Sequence, residues 1–414
     1  MIKYDSYKDS GINWIPMLPQ HWEIKKIGSL FSERREKVSD KEYEPLSVSK
    51  NGITPQLETA VKTDNGDNRK LVIEGDFVVN SRSDRKGSCG ISPLTGSVSL
   101  INIVLKSKGD IIPRYFHYLS RSNDYIEEYY RLGRGIVADL WTTRFSELKN
   151  LQIPYPPQVE QEKIARFIES KTLNIDTYVA ERERELQLLN ELKESEIANI
   201  VTRGLNPNVK LKDSGIPWIG MIPEHWGLRR IKYILTELKE KSELGTETPL
   251  SLSKEEGIIP FSEKKNRTME SASYVGGKLV HKGEIVFNRF KARLFAISNY
   301  DGIVSSDYAV YKCNDSACPE YLVTLFGTDM YREAFNRKAS GIGDGFSRLY
   351  TDDLFAMYAI FPPLDEQREI FSYIRKRSVQ INELISELQS EIELLKEYKQ
   401  KLISDCVTGQ IKVD

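Results

Sequence analysis

Arginines set among serines and glycines are the side chains in this sequence with the most to offer a ligand. NSRSDRKGSCG (80–90) carries Ser81, Arg82, Ser83, Arg85 and Lys86, and NRFKARLFAIS (288–298) carries Arg289, Lys291 and Arg293. A guanidinium can grip a guanine edge with two hydrogen bonds, lysine and serine can hold phosphate, and glycine lets a backbone come close. A second pair of such loops lies further on. Arg134 and Arg144 flank Gly133, Gly135 and Trp141, while Lys338 and Arg348 flank Gly341, Gly343 and Gly345. Lys50 and Lys254, aligned after a first strand, can add phosphate contacts. Any one of these side chains is as well explained by a solvated, charged hairpin. Their recurrence in both halves, with different sequence each time, favours recognition, with each copy reading its own site.

No comparable set supports catalysis. The sequence lacks a phosphate-binding Gly-x-x-x-x-Gly-Lys-[Ser/Thr] loop, since Gly276-Gly277-Lys278 has neither the upstream glycine nor the hydroxyl. Alternating Gly341, Gly343 and Gly345 do not match the dinucleotide fingerprint. The Pro-Pro pairs follow Tyr155 and Phe361, so the Asn/Asp-Pro-Pro-aromatic signature of amino-methylating enzymes is missing, and no Ser/His/Asp set recurs. Cys313 and Cys318 have no second Cys or His pair nearby, which is poor support for zinc. His21 and His225 sit in an aromatic, proline-rich stretch, and a packed, hydrogen-bonded role is expected for them.

Those loops must be held by a scaffold, and the scaffold is written twice. DSGINWIPMLPQHWEIKKI (9–27) returns as DSGIPWIGMIPEHWGLRRI (213–231), with 11 of 19 positions identical. EPLSVS (44–49) answers TPLSLS (248–253), GDFVVNSR (75–82) answers GEIVFNRF (283–290), and IPYPPQVEQEKI (153–164) answers IFPPLDEQREI (360–370). So dense a recurrence means one structural unit built twice, over about 1–206 and 207–414. Within each half, short β-type runs punctuated by Gly and Asn turns alternate with helical stretches. The expected fold is α+β, with mostly antiparallel, curved sheets over 1–157 and 207–363. A helix over 27–38, one over 113–132 and one over 319–335 are expected between the strands.

Residues 158–206 and 364–414 read differently. Proline pairs pre-shape a helix start, and Glu160, Glu162, Asp365 and Glu366 put negative charge where a helix N-terminus favours it. Ile385, Leu388, Ile392, Leu395, Lys399 and Leu402 alternate steps of three and four, a heptad seam. The corresponding positions of the first half are Val179, Arg182, Leu186, Leu189, Lys193 and Glu196, with Ile197 close behind. Two such helices are expected to pack on each other as an antiparallel coiled coil and act as a ruler between the two globular parts.

Charge and length bound the rest. The 414 residues carry a formal charge of −1, so nucleic acid must be met by local patches, with a partner supplying further positive charge. No apolar run reaches membrane-spanning length and the start lacks a signal-peptide core, so a soluble, cytoplasmic protein is expected.

The Pro-Trp-Ile-Gly-x-Ile-Pro-x-His-Trp motif (217–226), the Pro-Pro-x-x-Glu-Gln helix start and the Val-Thr-Gly end (407–409) together resemble the specificity subunits of type I restriction–modification systems. The resemblance spans both halves; Asn13 and Pro16 depart from the Pro and Gly of the second copy. It implies two target-recognition domains held apart by two antiparallel helices, each reading half of a bipartite target in double-stranded DNA. It also implies two methyltransferase subunits, two motor-nuclease subunits for cleavage, and S-adenosylmethionine, ATP and magnesium carried by those partners and not by this chain. Two other readings stay open: a duplicated scaffold binding protein or glycan, which leaves the paired arginine loops without a task, and a self-contained modification enzyme.

Overall fold

The computed structural model describes residues 2–50, 52–56, 66–134, 141–253, 256–264, 273–290, 294–341 and 347–413. It divides into two compact units, Met1–Glu183 with Gln389–Asp414, and Arg184–Leu388. That division runs through both long helices, Gln158–Arg203 and Leu364–Val407, each of which contributes part of its length to either unit.

In the first unit a four-stranded sheet has the order Cys89–Ile91, Phe77–Asn80, Asn102–Ser107, Phe31–Glu33. A three-stranded sheet of Gly96–Ser99, Arg69–Val72 and Lys37–Val38 lies in the same unit. The second unit repeats the larger sheet as Leu235–Leu238, Tyr308–Cys313, Ile285–Asn288, Phe295–Ile297. Every described strand pairing in these sheets is antiparallel. Both strands of such a pair can then face core on one side, as Phe77, Val79, Ile103 and Leu105 do against Phe116 and Tyr115.

The repeated opening motif explains itself through packing. Trp22 and Trp226 are fully buried, one in each core. Trp14 meets Tyr125 edge-on at 6.2 Å, and Trp218 meets Tyr331 at 5.0 Å. His21 and His225 are hydrogen-bonded as expected, to Glu160 and Glu366 at 2.9 Å each, but they are not packed, since about half of each side chain is exposed.

Three expected helices come out differently. Residues 27–38 form only the short turn Ile27–Leu30, because Phe31–Glu33 pairs with the strand Asn102–Ser107. The stretch 113–132 is two helices, Pro113–Leu119 and Asn123–Arg131, since Ser122 caps the second by accepting from Tyr125 N at 3.4 Å. Its counterpart splits at Gly327-Thr328 into Pro319–Phe326 and Asp329–Lys338.

The long helices are started and stopped by local chemistry. Gln161 and Gln367 are fully buried one turn inside them. Gln161 accepts from Ile112 N (2.9 Å) and donates to Pro156 O (2.8 Å); Gln367 accepts from Cys318 N and donates to Pro362 O, both 2.8 Å. Gly204 (φ +83°) and Gly409 (φ +75°) take the left-handed conformation that ends a helix. Along the seam, Val179, Ile392 and Leu402 are buried, while Leu186, Leu189, Ile197, Ile385, Leu388 and Leu395 are half-buried.

Polar seam contacts run antiparallel within each unit. Lys399 reaches Asp176 (2.6 Å) and Lys396 reaches Glu183 (2.8 Å) in the first; Lys193 reaches Asn382 (2.7 Å) and Arg377 reaches Glu196 (3.1 Å) in the second. The seam lysines noted in the sequence thus make equivalent contacts, one to aspartate and one to asparagine. Among the described residues, no helix is long and apolar enough to cross a membrane.

Candidate nucleic-acid interface

In the first unit the two loops singled out by sequence are one surface. The strand Phe77–Asn80 runs into the single 3-10 turn Ser83–Arg85. Arg134 and Thr142 exchange backbone hydrogen bonds at 3.2 Å, and Thr143 N donates to Ser81 O at 3.0 Å, stitching the second loop to the first. Arg82, Arg85, Arg134 and Arg144 are all exposed there. Asp84 sits between the first two, 3.0 Å from Arg82 Nε and 3.7 Å from Arg85 Nε. Exposed pairs of this kind are worth ~1 kcal/mol or less, so a phosphate or a base edge can replace Asp84 as their partner.

Other expected contacts have structural duties instead. Ser81 is buried and its hydroxyl donates to Ile101 O. Lys86 holds Glu127 at 2.5 Å and lies 4.5 Å over the Tyr130 ring, pinning the loop to the helix Asn123–Arg131. Lys50 is exposed at the end of the strand Leu46–Ser49. The Ser83 side chain and all of Lys254, Lys291 and Arg293 lie outside the described residues.

The second unit is built alike and equipped differently. Leu349 N donates to Arg289 O at 3.1 Å, matching the Thr143–Ser81 bond, and Ser340 pairs with Arg348 across a short hairpin. Arg348 lies 5.3 Å over the Phe290 ring and 5.5 Å over that of Tyr350, with Asp307 at 4.0 Å. Lys338 is exposed at the last turn of the helix Asp329–Lys338. Arg289, expected with Lys291 and Arg293 as a surface contact, is instead turned inward. Its Nη2 lies 2.5 Å from Glu237 and 3.0 Å from Thr351 Oγ1, and only 12% of the side chain is exposed. Lys278 holds the same carboxylate at 3.0 Å. Burial alone would raise the Glu237 carboxyl, but the Lys278 hydrogen bond and charge, with Thr351 and Arg289, outweigh it and hold it below the usual range.

The sequence did contain a warning. Aligning GDFVVNSR with GEIVFNRF matches Arg289 to buried Ser81, not to exposed Arg82. The aromatic supports Tyr130, Phe290 and Tyr350 were missed, because ring placement beneath a cation is not written in local spacing. Trp141 packs on Tyr130 at 5.5 Å.

Residues 19–187 match the family model of the type I restriction modification DNA specificity domain. Over 99% of its length the chain is 24% identical to the putative type I restriction enzyme MjaX specificity subunit of Methanocaldococcus jannaschii, spanning 98% of that protein. The chain thus carries a match to that specificity domain over 19–187 and is similar to a type I specificity subunit along nearly its whole length. A second relative, the EcoKI specificity subunit of Escherichia coli K12, is 20% identical over 81% of this chain and 75% of its own. Two solved structures share the fold. One, from work on complex assembly and conformational transition of a type I system, has a TM-score of 0.71 at 16% identity, covering 95% of this chain and 99% of that one. The other, the HsdS subunit of Thermoanaerobacter tengcongensis, has a TM-score of 0.54 at 17% identity, covering 95% and 98%.

Proposed function

We propose that this chain is a specificity subunit that reads a bipartite DNA target, one unit per half-site, and docks two methyltransferase subunits that perform the chemistry. Two motor-nuclease subunits join for cleavage in the cytoplasm, and S-adenosylmethionine, ATP and magnesium belong to those partners. The chain itself is then non-catalytic. The observation that carries the docking is a repeated apolar set on the long helices. Leu173, Tyr178, Leu394 and Tyr398 are exposed in the first unit, and Val379, Leu384, Leu188 and Leu192 in the second. Each member of one set stands 206 residues from its counterpart in the other. Exposed apolar residues recurring at equivalent helix positions fit two copies of one partner, because a shared binding surface must be preserved in both halves.

The purified chain should transfer no labelled methyl group to DNA, whereas the chain with methyltransferase subunits should methylate sites that share two short sequences at a fixed separation. Methyl transfer by the chain alone would sink this reading. Leu394→Asp with Tyr398→Asp should leave a complex holding one methyltransferase instead of two by native mass measurement. Leu188→Asp with Leu192→Asp should remove the other copy. Retention of two copies by both variants would place docking elsewhere.

A further inference from the structure

We infer that Arg289, clamped by Glu237 and Thr351, is a positioning residue that sets how the second unit presents Arg348 to DNA; this rests on the bipartite reading proposed above. Two observations separate it from an ordinary buried ion pair.

The first is what the clamp joins. Glu237 is on the strand Leu235–Leu238, Arg289 follows the strand Ile285–Asn288, and Thr351 opens the helix Thr351–Ala356. Tyr311, from a further strand of the sheet, meets the same Thr351 hydroxyl at 3.1 Å. The Arg289 carbonyl accepts from Leu349 N, so the clamp lies one residue from Arg348 on one strand and one residue from Phe290, which Arg348 covers, on the other. A planar guanidinium with a fixed fork of donors holds two such segments at a set angle, which a flexible ammonium does not.

The second observation is that the fold does without it in its other copy. Glu33 and Lys70 form the counterpart of the Glu237–Lys278 pair, at 3.4 Å. The positions of Arg289, Tyr311 and Thr351 are taken there by Ser81, Leu105 and Phe145. Where the Arg289 side chain would lie, the first unit has an open cleft of about 370 Å³ lined by Glu33, Lys70, Ser81, Thr142, Arg144 and Phe145. The carboxylate–lysine pair is therefore common to both copies. Glu33 also meets a guanidinium, that of Arg35 at 2.8 Å, but Arg35 is 78% exposed and lies two residues from Glu33 on the same segment, so a buried guanidinium that ties the carboxylate to a second and a third segment is private to one reader. Burying an extra cation gives little net stability over an apolar isostere, so a role in geometry accounts for it better than a role in folding.

The test uses the full chain with methyltransferase subunits, selecting from a DNA pool randomised at both half-sites. Arg289→Met keeps the volume and leaves Glu237 paired with Lys278, as Glu33 is with Lys70. It should reduce discrimination at the second unit's half-site tenfold or more and leave the first unit's unchanged. The salt dependence of binding should not move, since the inward-turned Arg289 neutralises no phosphate. Thr351→Val should reproduce part of the effect, and Arg289→Lys should not restore discrimination. Unchanged selection by Arg289→Met, with wild type selecting normally, overturns the inference alone. A salt slope smaller by about one overturns it in favour of direct phosphate contact. No enrichment by the wild-type complex overturns the bipartite reading as well. A fall in discrimination matched by unfolding of the second unit in calorimetry would show a merely structural role.

Discussion

Alanine at both Arg82 and Arg85 should weaken selection of one half-site by about five- to a hundred-and-fortyfold for each bidentate base contact these side chains make, and leave the other half-site as it was. The range follows from the ~1–3 kcal/mol of such a contact, with 1.4 kcal/mol for each factor of ten. These two arginines qualify because they are exposed, one just before and one at the end of the 3-10 turn Ser83–Arg85, with a surface carboxylate, Asp84, to release. The corresponding change in the second unit is Arg348→Ala and not a change at Arg289, whose guanidinium points inward. Selection from a randomised pool, with methyltransferase subunits present, reads both half-sites in one experiment. Uniform weakening over all sequences, with a smaller salt slope, would assign Arg82 and Arg85 to phosphates. If the two variants altered the same half-site, reading by separate units would be wrong.

The difference between Arg82 and Arg289 shows where sequence is a sufficient guide and where it is not. The duplication, the buried tryptophans and the heptad seam were legible because each depends on residues repeated or regularly spaced along the chain. Val179, Ile392 and Leu402 face inward at the spacing that the heptad demands. The helix expected over 27–38 failed for the opposite reason. Ile27, Leu30, Phe31 and Val38 have helical spacing, but Phe31–Glu33 is claimed by hydrogen bonds to Leu105–Ser107, some seventy positions away. Arg289 failed likewise, since its orientation is set by Glu237 and Thr351, which are remote in sequence. Ser122 is an intermediate case: a serine inside an amphipathic stretch is a readable cap, outvoted by the apolar pattern on either side.

The Glu-Gln pairs mark a further division of labour, and it yields the largest stability effect expected. Charge at a helix start explains Glu160 and Glu366 in part, although each also binds its histidine, and Glu366 accepts from Trp226 Nε1 at 2.9 Å. The neighbouring glutamines do the heavier structural task. Gln367 satisfies Cys318 N, at the start of the helix Pro319–Phe326, and Pro362 O, at the end of the strand before the long helix. Leucine would fill the same space and leave one buried donor and one buried acceptor unpaired. Each such group costs ~1–3 kcal/mol. For a unit the size of Arg184–Leu388, a few kcal/mol corresponds to a fall on the order of 10 °C in its unfolding midpoint. Gln367→Leu should therefore lower one calorimetric transition by that amount, and Gln161→Leu should act on the other unit through Ile112 N and Pro156 O. Glu366→Ala should do less, because His225 is half-exposed and the one buried donor it leaves, Trp226 Nε1, has a counterpart in Trp22 Nε1 that the first unit already leaves unpaired. A midpoint moved by less than about 2 °C in Gln367→Leu would mean that the two backbone groups find other partners, and that the glutamine is not what joins sheet, short helix and long helix.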